Sequence, residues 1–290
     1  MMVLKINFPK KEKIEVCKES FNKGRIYIEI KQKYENLRQA DLPESRIVDK
    51  NWSTNAEIPH HGMSIEQNGD WNYHKSPIVK HNILDYKIFP KYRISLNCVA
   101  NGNLFLALDE YFSLGTINGK VVRRNPVNGY YKTPRRGDDN MWLTRSDPVT
   151  LYFMEEVDNQ LIEDIKEITK PYRNPIKTPE TDKVFAQGQL KDAEWMSYSK
   201  ESQPEDLVKL IKRAEKLNPD LATGVYMYAK GDGISVDDEN GKKIFLVEDD
   251  IYTRLIRISA GQYYAIKEYV DEYERNHSKL RIGRGLNIDR

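Results

Sequence analysis

Six basic side chains, Arg123, Arg124, Lys132, Arg135, Arg136 and Arg145, are interleaved with Tyr130, Tyr131 and Trp142 in one short stretch near the middle of the chain. Guanidinium and ammonium groups neutralise phosphate or carboxylate, and flat aromatic rings stack on bases or anchor a protein interface. This mixture predicts a contact surface for a partner, either a protein or a nucleic acid or other anionic ligand. Asp138 and Asp139 in the same stretch offer counter-charges, so the opposing expectation is a solvated loop that pairs with itself. Pro126, Asn128-Gly129, Pro134 and Gly137 interrupt any long regular element. They predict an exposed loop with at most a short strand at Tyr130 to Lys132.

Other residues with chemical potential have plainer readings. Four of the five histidines, His60, His61, His74 and His81, lie between residues 40 and 91. Zinc binding by His60, His61 and His74 would need a recognised ligand spacing, and theirs matches none. A ββα-metal nuclease would carry its later histidine on a helix, and Pro77 stands where that helix would run. The segment is expected to be loop-rich, packed through Trp52, Trp71 and Tyr73, and without metal. Glu29-Ile30-Lys31 has the Glu-x-Lys form of restriction-type nucleases. Those sites also need an upstream acid with structure before it, and only 28 residues precede Glu29. A polar strand face accounts for the motif. Asp237-Asp238-Glu239 lacks calcium-loop spacing and reads as a solvated turn. Cys98 falls in an expected strand, away from any helix N-terminus that would favour its thiolate, and reads as a buried structural thiol. No pattern calls for a cofactor.

These groups need elements to hold them. Tyr92–Val99 alternates apolar and polar residues as a half-buried strand does. Leu104–Phe112 is a further apolar run after Asn101-Gly102. Asn118-Gly119, a pair that tolerates the positive φ of a type I′ turn, separates Ser113–Ile117 from Lys120–Val122. An antiparallel meander follows, and Val149–Met154 returns to the core as a buried strand. Gly24–Lys31, with Ile26, Ile28 and Ile30 on one face, predicts a strand with one wet face.

The second half is richer in helix signals. Asp158 caps an expected helix with Leu161, Ile165 and Ile168 on its core face and Pro171 as its stop. Ser202 and Pro204 open another that runs to Leu217, with acids early and bases late. Gly224–Ala229, Lys243–Val247 and Tyr252–Ile258 read as strands. Ser259 and Gln262 form a capping box for a helix reaching Asn276, which turns Tyr263, Ile266, Val270 and Tyr273 to the core.

The order strand, acidic turn, strand, followed by Ile256–Val270, resembles part of the papain-like peptidoglycan amidases and related bacterial effectors. The likeness covers residues 224–276. It implies an Asn-Cys pair after such a helix, with the thiolate as nucleophile and a histidine from a neighbouring strand. The residues after His277, Ser278 to Arg290, contain no cysteine, so neither catalytic residue transfers to this chain.

At 290 residues, with 39% hydrophobic and 31% charged side chains, the chain fits one large folded domain or two modest ones. Residues 1–170 read as a β-rich domain and 183–290 as an α+β lobe. Pro171, Pro175 and Pro179 mark 171–182 as a linker, unless the lobes run together as one domain. The net charge of +2 excludes attraction to nucleic acid or membrane by the field of the whole protein and leaves only local patches. No apolar run approaches the roughly 18–20 residues of a membrane span, and the N-terminus lacks an apolar signal core. Two cysteines are too few for a disulfide framework. The chain is therefore expected to be cytoplasmic as synthesised, with signal-independent export by a dedicated machine left open.

The fold class expected is α+β, a mainly antiparallel β core in the N-terminal half with a helix-richer C-terminal part. The function expected is an interaction or effector-like protein of a bacterial or phage system, its central loop contacting the partner. The rival class is an enzyme, either a cysteine hydrolase of amidase type or a metal-dependent nuclease.

Overall fold

The computed structural model describes residues 18–37, 52, 57–83, 88–135, 139–178, 182–230, 234–237, 243–246 and 258–284. In chain order the helices are α1 (Lys18–Leu37), α2 (Gly102–Leu114), α3 (Asp139–Thr144), α4 (Asn159–Thr169), α5 (Lys183–Ala186), α6 (Pro204–Leu217), α7 (Pro219–Lys230) and α8 (Ala260–Arg284). The strands are β1 (Ser64–Asn68), β2 (Trp71–Lys75), β3 (Tyr92–Leu96), β4 (Thr116–Ile117), β5 (Lys120–Val121), β6 (Gly129–Pro134), β7 (Val149–Phe153), β8 (Gln189–Leu190), β9 (Ala193–Lys200), β10 (Ile234–Asp237) and β11 (Lys243–Leu246). The class is α+β. No helix among the described residues is long and apolar enough to cross a membrane. The chain divides into two compact units, one of residues 37–201 and the other of residues 1–36 with 202–290.

The 37–201 unit is built on a seven-stranded antiparallel sheet in the order β1-β2-β6-β7-β3-β9-β8. Directly paired residues share a face, and residues two apart on a strand do too. One face therefore carries His74, Tyr131, Leu151 and Ile94 in a row. Against it pack Leu104, Phe105, Leu108, Tyr111 and Phe112 of α2, and Leu161, Ile165 and Ile168 of α4, forming one apolar core. Trp142 of α3 and Trp52 join it, their rings 5.3 Å apart.

Several expected elements take another form here, each for a physical reason. Leu104–Phe112 is not a strand but the middle of α2. Its large buried apolar positions, 104, 105, 108, 111 and 112, recur at the helical period, and Asn101 is the N-cap, its side chain accepting from Asn103 N–H. The run Arg123–Asn140 is not one exposed loop. It contains β6, which lies inside the sheet between β2 and β7. Gly129 is needed there because a Cβ would sit 2.3 Å from the Tyr152 carbonyl oxygen. Residues 64–75, expected as loop, form the β1–β2 hairpin.

Other expectations hold in this unit. Tyr92–Leu96 and Val149–Phe153 are core strands, and Asn118-Gly119 turns β4 into β5 with both φ values positive. Asp158 caps α4 by accepting from Leu161 N–H at 2.7 Å. Cys98 is a buried thiol, its backbone bridged to Arg173. Proline-bearing residues 171–178 belong to this unit, where the Asn97 amide donates to the Ile176 carbonyl and to Thr178.

The other unit is a helical cluster. Ile26 and Ile30 of α1 are buried with Leu207, Leu210 and Ile211 of α6, Leu221 and Val225 of α7, and Ile266 and Val270 of α8. Gly24–Lys31 is thus helical, not a strand: Ile26 and Ile30 share a face at i,i+4 while Ile28 is exposed. Glu29 and Lys31 accordingly leave the nuclease-type strand geometry. Gly224–Ala229 is likewise part of α7, and a Cβ on Gly224 would stand 2.5 Å from Ile26 Cγ2. Gln203, rather than Ser202, caps α6 and shares a capping box with Asp206. Ser259 and Gln262 cap α8 reciprocally, as the sequence indicates. Lys243–Leu246 pairs with Ile234–Asp237. The expected strand 252–258 lies almost wholly outside the described residues.

Candidate anion-binding site

The two faces of the sheet offer two polar arrangements. On the helix-covered face His74, Asp109 and Tyr131 meet, all fully buried. His74 stacks on Tyr131 with ring centroids 4.3 Å apart, and its Nδ1 lies 3.4 Å from Asp109 Oδ1. The Tyr131 hydroxyl donates to the same oxygen at 2.6 Å, and the His60 backbone N–H donates to Oδ2 at 3.3 Å. Burial first, then the adjacent carboxylate, holds the Tyr131 phenol well above its ordinary range. The cluster orients a histidine, but no solute reaches it in this arrangement. Its described role is to order the core. Among the described residues no group of three or more His, Cys, Asp or Glu side chains is set to hold a metal ion.

The opposite face is polar where a packed sheet is ordinarily apolar. One row across five strands reads Tyr73, Lys132, Thr150, Ser95 and Ser197. The row beside it reads Lys75, Tyr130, Tyr152, Arg93 and Ser199. Arg93 Nε donates to Ser199 Oγ at 3.1 Å and pairs with Glu201 at 3.2 Å, both ion-pair partners being buried. Tyr130 and Tyr152 stack at 5.0 Å and with Ile83 form a small apolar patch.

At the half-buried end of this face Trp71 gathers two cations. Lys132 Nζ stands 4.3 Å from its ring centroid and Arg145 Cζ 4.7 Å from it. This is cation–π geometry, worth about 0.5–2 kcal/mol per contact. Trp71 precedes Tyr73 by two residues and pairs with Pro134, so it reaches Lys132 diagonally across the β2–β6 pair. Asp147 lies 3.5 Å from Arg145 Nε.

The nine residues expected to line a contact loop are therefore sorted rather than gathered. Lys132 and Arg145 converge on Trp71. Arg135 is exposed and donates to the Gly69 carbonyl at 3.2 Å. Arg123 pairs with Asp158 at 3.6 Å, and Arg124 is exposed at the surface. Tyr130, Tyr131 and Trp142 are buried and present no stacking platform to a partner. That part of the expectation is corrected: Tyr130 and Tyr131 sit on an interior strand, where both sheet faces are covered. Arg136 lies outside the described residues. Trp71 is outside those nine, and its signal is the alternation in Trp71–Lys75, which forms β2 where the sequence predicts loop.

Comparison with protein-family models and with curated proteins finds no match. A solved structure from work on the catalytic mechanism of phosphothreonine lyase is similar over 62% of this chain and 88% of its own, with a TM-score of 0.30 and 10% identity. At that similarity it bears on neither fold nor function.

Proposed function

We propose that this chain is an interaction protein whose protein partner presents an anionic group to the corner formed by Trp71, Lys132 and Arg145. The observation that carries the reading is the convergence of two cations on one half-buried ring. The two distances place the charges within about 9 Å of each other. At an effective dielectric near 20, two bare charges at that separation would repel by about 2 kcal/mol, and Asp147 offsets part of this at Arg145. An arriving anion is attracted to both. A protein partner fits better than nucleic acid, because two cations supply far fewer than the roughly 6–10 phosphate contacts of a strongly salt-dependent complex.

The test is fluorescence polarisation with a labelled peptide of six glutamates and a labelled single-stranded oligonucleotide. The peptide should bind, Lys132→Ala and Arg145→Ala should each weaken it at least five-fold, and Arg124→Ala should leave it within two-fold. Equal weakening by Arg124→Ala, or no binding by either probe, would overturn the corner as the site. Tighter oligonucleotide binding that falls steeply with salt would overturn the choice of a protein partner.

A further inference from the structure

The two edges of the seven-stranded sheet are finished differently. β8 spans two residues and its register against β9 shifts between Gln189 and Leu190, so it offers little regular backbone. Short strands and bulges are common means of keeping a sheet edge from pairing. β1 has neither: its five residues pair with β2 in unbroken register, with no proline and no lysine among them. Among the described residues no strand pairs with its outer side, and Ser64, Gln67 and Asn68 are exposed. Gly69 and Asp70 close the β1–β2 hairpin as a two-residue turn, with a φ of 54° at Gly69. The pair flanking such a turn, Asn68 and Trp71, is a hydrogen-bonded one. Alternation then directs the backbone N–H and C=O groups of Ile65 and Gln67 outward.

Resting on the interaction reading above, we infer that the partner docks by adding an extended segment to β1 as an antiparallel eighth strand, with an acidic side chain beside Asn68. Main-chain hydrogen bonds to Ile65 and Gln67 supply the grip, and alternate side chains supply the selectivity. Ser64, Glu66 and Asn68 share the face of Lys75, Tyr73 and Trp71, while Ile65 lies on the other. A residue set beside Asn68 lies two strand spacings, about 10 Å, from the Trp71 backbone. An acid there meets a cationic end of the sheet: Arg135 is bonded to the Gly69 carbonyl, and Lys132 and Arg145 stand at the Trp71 ring. The residue beside Glu66 must be uncharged, because Glu66 already pairs with Lys75 at 3.1 Å and accepts from the Ile83 N–H at 3.3 Å. On the other face an apolar residue covers the half-buried Ile65. The partner segment therefore alternates apolar and polar residues and carries its acid at the Asn68 end.

The experiment titrates the whole chain into a labelled peptide, Val-Glu-Val-Thr-Val-Thr-Val, by fluorescence polarisation. Two N-methylated forms of the peptide each block one alternate set of its backbone nitrogens. The plain peptide should bind at least ten-fold more tightly than the six-glutamate peptide. One methylated form should lose at least ten-fold and the other stay within three-fold, since only one set of N–H groups faces β1. Gln67→Pro deletes an outward N–H and leaves the β1–β2 ladder intact, so it should match that loss, while Gln67→Ala stays within two-fold. The two methylated peptides decide the matter even where Gln67→Pro impairs folding. Lys132→Ala should weaken the plain peptide as it weakens six glutamates. Equal binding of all three peptides, or no binding by the plain peptide where six glutamates bind, would overturn the strand and leave the corner standing. Strand-type binding that Lys132→Ala leaves unchanged, with no binding of six glutamates, would overturn the corner and with it the shared partner.

Discussion

Tyr131→Phe removes one hydroxyl from a fully buried polar cluster. The substitution keeps the ring and its 4.3 Å stack on His74 and deletes the hydroxyl that donates to Asp109 Oδ1 at 2.6 Å, with a longer approach of 3.4 Å to the Phe105 carbonyl. Asp109 retains the His60 N–H at 3.3 Å and the adjacent His74 nitrogen, so the carboxylate is weakened rather than stranded. A hydrogen bond to a charged group contributes about 1.5–3 kcal/mol, and that is the expected loss. For a unit of this size each kcal/mol moves the melting temperature by about 2–4 °C, giving a fall of about 3–12 °C. Urea unfolding followed by circular dichroism measures the loss directly. Asp109→Asn, combined with Tyr131→Phe in a double-mutant cycle, should show coupling of at least about 1 kcal/mol. A Tyr131→Phe protein within about 0.5 kcal/mol of wild type, or effects that simply add, would refute the role given to Asp109.

Three further outcomes follow from the geometry. Arg93→Met leaves Glu201 buried without its guanidinium and should cost about 3–5 kcal/mol, whereas Arg93→Met with Glu201→Leu should recover most of it. Equal losses in single and double variants would show that the pair is not coupled. The Glu110 carboxyl is held below its ordinary value by the Thr116 hydroxyl and then by the Gly119 N–H, against an opposing effect of burial. Its contribution is therefore complete above the ordinary carboxylate value of about 4.3 and fades as pH falls through the lowered one. The stability gap between wild type and Glu110→Gln should be full at pH 7 and close in acid, and a gap that ignores pH would contradict the assignment. Gly224→Val places a branched side chain where even a Cβ meets Ile26 Cγ2 at 2.5 Å, and should cost about 1–3 kcal/mol by denaturant unfolding. A neutral result would mean that α1 and α7 are not in contact there.

The sequence showed those elements whose signal is local. Asp158 before Leu161, Ile165 and Ile168 is a cap followed by a helical stripe, and Ser259 with Gln262 closes on itself within one turn. Asn118-Gly119 needs only its own backbone freedom. Legibility failed where two periods agree over a short window. Ile26, Ile28 and Ile30 fit a strand at period two, while Ile26 and Ile30 alone fit a helix, and only the facing Gly224 decides between them. In Leu104–Phe112 the helical spacing of the buried residues was present but masked by apolar residues between them.

At the candidate site the basic residues were visible and their neighbours were not. Lys132 and Arg145 stood out by composition. Trp71 comes from β2 and is brought beside Lys132 only by the β2–β6 register. Tyr130 and Tyr131 illustrate the reverse error. Proline, asparagine and glycine around them signalled a loop, yet those residues end a strand whose centre is enclosed on both sides.

The central claim is that an anion binds at the corner formed by Trp71, Lys132 and Arg145. Amide-resolved NMR titration with the six-glutamate peptide tests it most directly. The account predicts saturable shifts at Lys132, Arg145 and the Trp71 indole, absent in Lys132→Ala. Shifts confined to Arg124 and Arg135, with the corner silent, would contradict it.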